Sequence, residues 1–160
     1  MKQNQKFRIA RSTEGTIFEI AFVILSVIVW AVIIVMMRHA PETVATHFDA
    51  TGTPNSWGNK YSLLLPLIIT TVVGGCMLLG AYFPHTVNLP VSISNMRQAL
   101  LAVRMMRILA FIFLLLTLLI AYTSFGNARP SAWPIILIVV LMLGVIALFT
   151  ALIYKARNRG

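Results

Sequence analysis

Four long, uncharged and strongly apolar stretches alternate with short polar segments along the chain. Each stretch is long enough to cross a hydrocarbon core about 30 Å thick, which takes roughly 20 helical residues. Helix is the required form, because backbone groups that face lipid must bond internally and the alternating pattern of a barrel strand is absent. The pattern predicts helices over about 16–38, 61–83, 96–124 and 132–155.

The sequence therefore predicts an all-α integral membrane protein with a single four-helix transmembrane domain over 16–160, preceded by a basic tail over 1–15. Composition agrees, because 59% of the residues are hydrophobic and 11% charged, where a soluble domain has about 25% charged residues. Small residues recur every four positions in the second helix, which lets a neighbouring backbone approach closely. We expect this helix to be central to the bundle. The pairs are Thr70 with Gly74, Thr71 with Gly75, and Cys76 with Gly80.

The formal net charge of +9 does not indicate nucleic-acid binding, because the basic residues bracket the apolar stretches. A cytoplasmic N-terminus places ten basic residues inside and three outside, as the positive-inside rule requires. The sequence thus predicts an N-in, C-in multi-pass protein in contact with membrane lipids. The inside set is Lys2, Lys6, Arg8, Arg11, Arg97, Arg104, Arg107, Lys155, Arg157 and Arg159, and the outside set is Arg38, Lys60 and Arg129.

The segment 39–60, between the first two helices, is polar, aromatic and rich in turn residues. It predicts a compact extracytoplasmic loop in which Gly52, Pro54 and Gly58 shape turns. The apolar rings of Phe48 and Trp57 are suited to packing on the helix ends or entering the membrane interface. The predicted ligand-binding set is His47, Phe48, Asp49, Gly52, Pro54, Asn55, Trp57, Gly58 and Lys60.

Metal and enzyme chemistry are weaker interpretations of the same loop. His39, Glu42, His47 and Asp49 could converge on zinc or another divalent metal, since imidazole and carboxylate are suitable ligands. No pair has tight metal-ligand spacing, so we favour His47 as a structural pin bonded to the loop backbone, and no cofactor is predicted. A nucleophile on a rigid turn is also missing, which favours a non-enzymatic protein.

Two further features lie at the predicted inner ends of the helices. Glu19, a candidate intramembrane polar site, is expected to pair with Arg104 or Arg107 rather than to couple ions. Arg97, Arg104 and Arg107 fall on one stripe of the third helix, which suits either docking at lipid headgroups or simple flanking charges that snorkel to the surface. We favour the flanking charges.

Pro41, the pair His47 and Phe48, and the motifs Gly52-x-Pro54 and Gly58-x-Lys60 follow one another in a specific order. This order resembles the bacterial membrane family designated domain of unknown function 1648, found at the N-terminus of SdpI-type immunity proteins. Trp57 matches a common aromatic of the family. Asp49 and Asn55 stand where family members often have Asn and Asp, and the triplet 88–90 is a weaker echo.

The resemblance implies the bacterial cytoplasmic (inner) membrane and a binding function. SdpI-type proteins protect a bacterium from a secreted toxic peptide and report it to a membrane-recruited repressor. The leading hypothesis is therefore a loop that binds an extracytoplasmic peptide or lipid-like ligand for immunity or envelope-stress sensing. One alternative is a small permease or channel subunit, a homo-oligomer built around the second helix with Glu19 in its pathway. Another is an accessory subunit whose loop docks on a partner membrane protein.

Overall fold

The computed structural model describes residues 9–84, 91, 93–125 and 131–157. These ranges contain four α-helices, α1 (Thr13–His39), α2 (Leu64–Gly80), α3 (Met96–Phe125) and α4 (Trp133–Arg157). They also contain two strands, β1 (Thr43–Phe48) and β2 (Pro54–Asn59), and a 3-10 turn (Lys60–Leu63) that leads into α2. Residues Lys2, Lys6, Arg8, Arg129 and Arg159 and the triplet 88–90, all used in the sequence predictions, lie outside the described residues.

All four helices are long and apolar enough to cross a membrane, α2 together with its 3-10 turn. The predicted multi-pass, mostly helical membrane protein is confirmed in this respect. Helix α1 begins at Thr13, earlier than predicted, because the hydroxyl of Ser12 accepts a hydrogen bond from the backbone N–H of Gly15 at 3.1 Å. Such an N-cap satisfies a backbone donor that the first helical turn would otherwise leave unpaired.

Helix α3 lies at the centre of the bundle, so the prediction of a central second helix is wrong. In the most apolar 18-residue stretch of each span, 50% of the residues of α3 are buried, against 22% in the second span and 6% in α4. Helices α1 and α2 share one apolar core with α3, which includes Phe22, Leu67 and Leu114. Helix α4 packs against α3 through a separate cluster around Ile138. The apolar positions of α3 thus contact three neighbouring helices, whereas most of the second span is not buried.

The small residues of α2 allow close approach at Gly74 and Gly80. A Cβ atom at Gly80 would lie 2.6 Å from Cε of Met106 in α3. A Cβ atom at Gly74 would lie 3.0 Å from the backbone oxygen of Ala110 in α3 and 3.1 Å from Cζ of Phe22 in α1. At Gly75 nothing lies within 4 Å of the same position, and Cys76 is exposed. The predicted close contact is therefore confirmed at Gly74 and Gly80 and absent at Gly75.

Candidate functional site

The segment between α1 and α2 is a β-hairpin, and the predicted all-α class needs this correction. Strands β1 and β2 pair antiparallel, with Thr43 opposite Asn59 and Phe48 opposite Pro54. A compact loop was predicted, but the pairing of two strands was not. The β-branched and aromatic residues of β1 suit a pleated strand, and the glycine-containing turn that follows reverses the chain.

The hairpin turn is organised by the carboxylate of Asp49. Its Oδ1 accepts hydrogen bonds from the hydroxyl of Thr51 at 2.6 Å, the backbone N–H of Thr51 at 2.8 Å and that of Thr53 at 3.0 Å. The Thr51 hydroxyl, followed by the Thr53 backbone N–H, lowers the pKa of Asp49 below its ordinary value. Asp49 was predicted to bind a ligand, but the structure gives it the role of holding the turn.

Gly52 joins the turn to the start of α4. Its φ of +79° lies in the left-handed region that favours glycine. Its carbonyl oxygen accepts a hydrogen bond from the N–H of Ala132 at 2.9 Å, and a Cβ atom would come within 3.4 Å of the backbone nitrogen of Trp133. The tip of the hairpin is therefore fixed against a second helix.

Lys60 fixes the base of the hairpin, although the sequence placed it among the ligand-binding residues. Its side chain is only 8% exposed, and its ammonium donates a hydrogen bond to the carbonyl of Ala40 at 3.3 Å. The same ammonium lies 3.1 Å from Oε1 of Glu42, and its backbone N–H donates to the Glu42 carbonyl. The ammonium and the backbone N–H of Lys60 together hold the end of α1 to the start of α2.

The outer face of the hairpin carries His47, Asn55 and Trp57. Side chains alternate between the faces of a strand, so Asn55 and Trp57 point to the same side. His47 Nδ1 lies 2.5 Å from Asn55 Oδ1, which places His47 on that side too. The pin was predicted to bond to the loop backbone, but the observed partner is a side chain. Trp57 is 56% exposed, and His47 and Asn55 are both exposed.

The remaining predicted residues belong to the frame of the hairpin. Phe48 is half-buried, and its strand partner Pro54 opens β2 instead of shaping a turn. Gly58 lies within β2, where a Cβ atom would sit 3.2 Å from Cγ2 of Thr46. Its missing side chain lets Thr46 pack over the strand, so the prediction of a turn at Gly58 is wrong.

The four metal-ligand candidates do not come together. Within the described ranges no group of three or more His, Cys, Asp or Glu side chains could hold a metal ion. Glu42 faces Lys60, His47 faces Asn55, and Asp49 faces its own turn. His39 is exposed at the end of α1. Each candidate other than His39 thus has a contact that points away from a shared centre.

Glu19, the candidate intramembrane site, has different partners from those predicted. Its carboxylate accepts a hydrogen bond from Arg11 Nη2 at 2.6 Å and another from the hydroxyl of Tyr82. Arg107 pairs with Glu14 instead, at 3.2 Å between Nη1 and Oε1. The early start of α1 places Glu14 in its first turn and within reach of α3, which explains the exchange.

The described geometry can be set beside known protein families. Residues 24–71 match a family model described as "Domain of unknown function (DUF1648)". This match confirms the family predicted from the loop motif. It covers the second half of α1, the whole hairpin and the first part of α2, which is less than a third of the chain. No curated protein and no solved structure matches the chain.

Sequence reasoning missed Thr51 and Thr53, which complete the turn around Asp49. An aspartate followed two residues later by threonine is a known side-chain turn pattern, so the signal was present. It also missed the burial of Lys60, for which the sequence gives no signal because lysine is rarely buried. The DUF1648 segment thus separates into a frame, held by Asp49, Gly52 and Lys60, and an exposed face.

Proposed function

We propose that the chain is a non-enzymatic protein of the bacterial cytoplasmic membrane, oriented N-in and C-in, whose hairpin binds an extracytoplasmic ligand. The binding surface is the outer face formed by His47, Asn55 and Trp57. The ligand class is a toxic peptide or a lipid-like molecule, and the biological role is immunity or envelope-stress sensing. That role follows from the resemblance to SdpI-type proteins, which the loop motif carries.

The observation that supports this proposal best is the exposure of Trp57 beside a polar pair on a fixed frame. An exposed indole offers a large, rigid contact area at low entropic cost, and such residues dominate binding energies. The strand register shifts on both sides of His47. Irregularities of this kind re-aim a side chain and are frequent next to functional sites.

The frame favours binding because it leaves little to be ordered when a ligand arrives. The tip is bonded to Ala132 and the base to Ala40, so both ends of the hairpin are tied to helices. Preorganisation of this kind raises affinity by lowering the entropic cost of association. The exposed indole of Trp57 and the imidazole of His47 give this outer side both an apolar and a polar contact for a ligand.

The proposal is tested by changing the face and leaving the frame. A bacterium that expresses the chain is challenged with the secreted toxic peptide against which SdpI-type proteins protect. His47→Ala and Trp57→Ala are expected to abolish protection without lowering the amount of protein in the membrane. The matched controls are His39→Ala and Tyr154→Ala, because both residues are exposed and lie outside the hairpin. Full protection by the Trp57 variant would contradict the proposed surface.

Orientation is tested separately with a thiol at position 55. Cys76 is first replaced by serine, and Asn55→Cys is then labelled in intact cells with a membrane-impermeant maleimide. We expect labelling from outside the cell, because the positive-inside rule places the hairpin there. Labelling that requires inside-out vesicles would contradict the extracytoplasmic placement.

A further inference from the structure

The end of the bundle opposite the hairpin contains a cavity of about 470 Å³. Its walls come from the segment before α1, the first turn of α1 and the first turns of α3. The lining residues that matter here are Ile9, Glu14, Arg97, Leu101, Arg104 and Arg107. Three arginines and one carboxylate therefore face a single space.

The arginines of this cavity divide into one that is paired and two that are not. Arg107 is buried, lies 3.2 Å from Glu14, and stacks its guanidinium 5.5 Å from the ring centroid of Phe18. Arg97 and Arg104 are exposed, and among the described residues neither forms an ion pair. Since Glu14 offsets Arg107, two positive charges of the cavity have no ion-pair partner in the described part of the chain.

Gly15 makes room for this arrangement. A Cβ atom there would lie 2.7 Å from Nη2 of Arg107 and 3.1 Å from the hydroxyl of Tyr82. The guanidinium of Arg107 therefore lies directly against the backbone of α1. This contact fixes the wall of the cavity that Arg97 and Arg104 also line.

The cavity is also amphipathic. Leu100, Leu101 and Val103 line it alongside the arginines, and Leu100 is 47% exposed. It lies at the N-terminal ends of two helices that are apolar enough to cross a membrane. The ends of helices that span a bilayer meet the lipid headgroups, so we expect the cavity at that level. Arginine recognises phosphate through paired N–H donors, and the leucines can cover the first part of an acyl chain.

We propose that this cavity binds the phosphate headgroup of an anionic membrane lipid, with Arg97 and Arg104 as the phosphate ligands. A free phosphate ion would use the arginines but not the apolar wall, so the structure favours the lipid. The sequence alone favoured simple flanking charges for this stripe. The cavity and the two unpaired guanidinium groups are the observations that change this interpretation.

The test measures lipid retention by the full-length protein. Protein purified in mild detergent is mixed with phosphatidylglycerol or phosphatidylcholine, and bound lipid is counted by native mass spectrometry. We expect phosphatidylglycerol adducts, and a loss of binding on the order of tenfold or more in the double variant Arg97→Gln with Arg104→Gln. The matched control is Arg157→Gln, an exposed arginine at the end of α4 outside this cavity.

Three outcomes would overturn the proposal. The first is retention of phosphatidylcholine equal to that of phosphatidylglycerol, because the site would then not distinguish an anionic headgroup. The second is unchanged phosphatidylglycerol binding by the double variant while it unfolds at the wild-type temperature. The third is complete displacement of the lipid by millimolar inorganic phosphate, which would assign the site to the free ion. The single variants Arg97→Gln and Arg104→Gln, each expected to lose part of the binding, provide the test if the double variant fails to fold.

Discussion

Helix α3 separates two sides of the molecule that are held together by different means. On one side lie α1, the hairpin and α2, joined by polar contacts within the apolar core. Trp30 Nε1 donates a hydrogen bond to Thr71 at 3.2 Å, and Thr117 of α3 donates to Thr70 of α2 at 2.8 Å. On the other side, α4 packs along α3 through apolar side chains alone over its middle.

The polar contacts of α4 lie near its two ends. At its start, Ala132 donates to the carbonyl of Gly52 in the hairpin. Near its end, Gln98 Nε2 of α3 donates to the carbonyl of Ile153 at 2.9 Å, and the Asn95 side chain donates to that of Ala156 at 3.2 Å. Helix α4 is therefore held by polar contacts at its ends and by apolar packing between them.

This difference in polar contacts affects how closely the arrangement of the helices is determined on each side of α3. Inside a bilayer the hydrophobic effect no longer drives helices together, so close packing and hydrogen bonds decide how they fit. Residues 24–71, which match DUF1648, lie wholly on the side with the close packing and the polar contacts. The hairpin is thus joined to the half of the bundle that carries these polar contacts between helices.

The largest effect is expected from Lys60, which anchors the hairpin to that half. Lys60→Ala removes a buried ammonium and leaves the carbonyl of Ala40 without its donor, which we expect to destabilise the hairpin by about 2 kcal/mol. The measurement is the unfolding free energy in mixed detergent micelles, with limited proteolysis to locate the opened segment. Arg38→Ala is the control, because Arg38 is exposed and among the described residues forms no ion pair. Equal effects of the two variants would mean that Lys60 is not an anchor.

The hairpin shows how far the sequence could predict this region. The motif and the turn residues correctly pointed to a compact structure between the first two helices. The division into frame and face depends on strand register, and the polarity of His47, Asp49 and Lys60 does not reveal it. Lys60 in particular is buried because the carbonyl of Ala40, distant in sequence, meets its ammonium in space.

The helices were predicted well, because a run of apolar residues directly reflects the thickness of a bilayer. Their arrangement was not, since the spans of α2, α3 and α4 are all strongly apolar and hydropathy does not distinguish a central helix from a peripheral one. The predicted partner of Glu19 was wrong for a related reason. Which side chains of α1 reach α3 depends on where the helix begins, and that is set by the cap at Ser12.

A smaller effect is expected at Gly74. Glycine-to-alanine substitutions add one methyl group and so compare how tightly the two sides of α3 are packed. Gly74→Ala places a Cβ atom against Ala110 and Phe22, and such overpacking costs about 1–2 kcal/mol after the gain in helix propensity. Gly75→Ala on the same helix and Gly144→Ala on α4 are matched controls, because neither position has an atom within 4 Å. We expect both controls to be neutral or slightly stabilising in the same unfolding measurement. A neutral Gly74 variant would show that the first side is no more tightly packed than the second.

The end of α4 should respond to Gln98, which is fully buried. Gln98→Leu removes the donor to Ile153 and the acceptor for the Ser94 N–H, and we expect a loss of about 1 kcal/mol. Hydrogen exchange of the last turns of α4 should accelerate, while that of the hairpin stays unchanged. Thr150→Val is the control, since the buried hydroxyl of Thr150 has no hydrogen-bond partner within the described ranges. Faster exchange throughout the bundle would contradict the idea that α4 is attached locally.

The smallest effect is a pH dependence at acidic pH, which should appear in the hairpin and not in α4. All four carboxylate side chains of the chain precede residue 50, and none lies in α3 or α4. Because the folded hairpin lowers the pKa of Asp49, its carboxylate stabilises the turn fully above the ordinary value of about 3.9. This contribution disappears as the pH falls through the lowered pKa of the folded state. The amide resonances of Thr51 and Thr53 should shift in that range, while those of α4 stay constant. Asp49→Asn should abolish the transition. A transition that persists in this variant would contradict the role of Asp49 as the organiser of the turn.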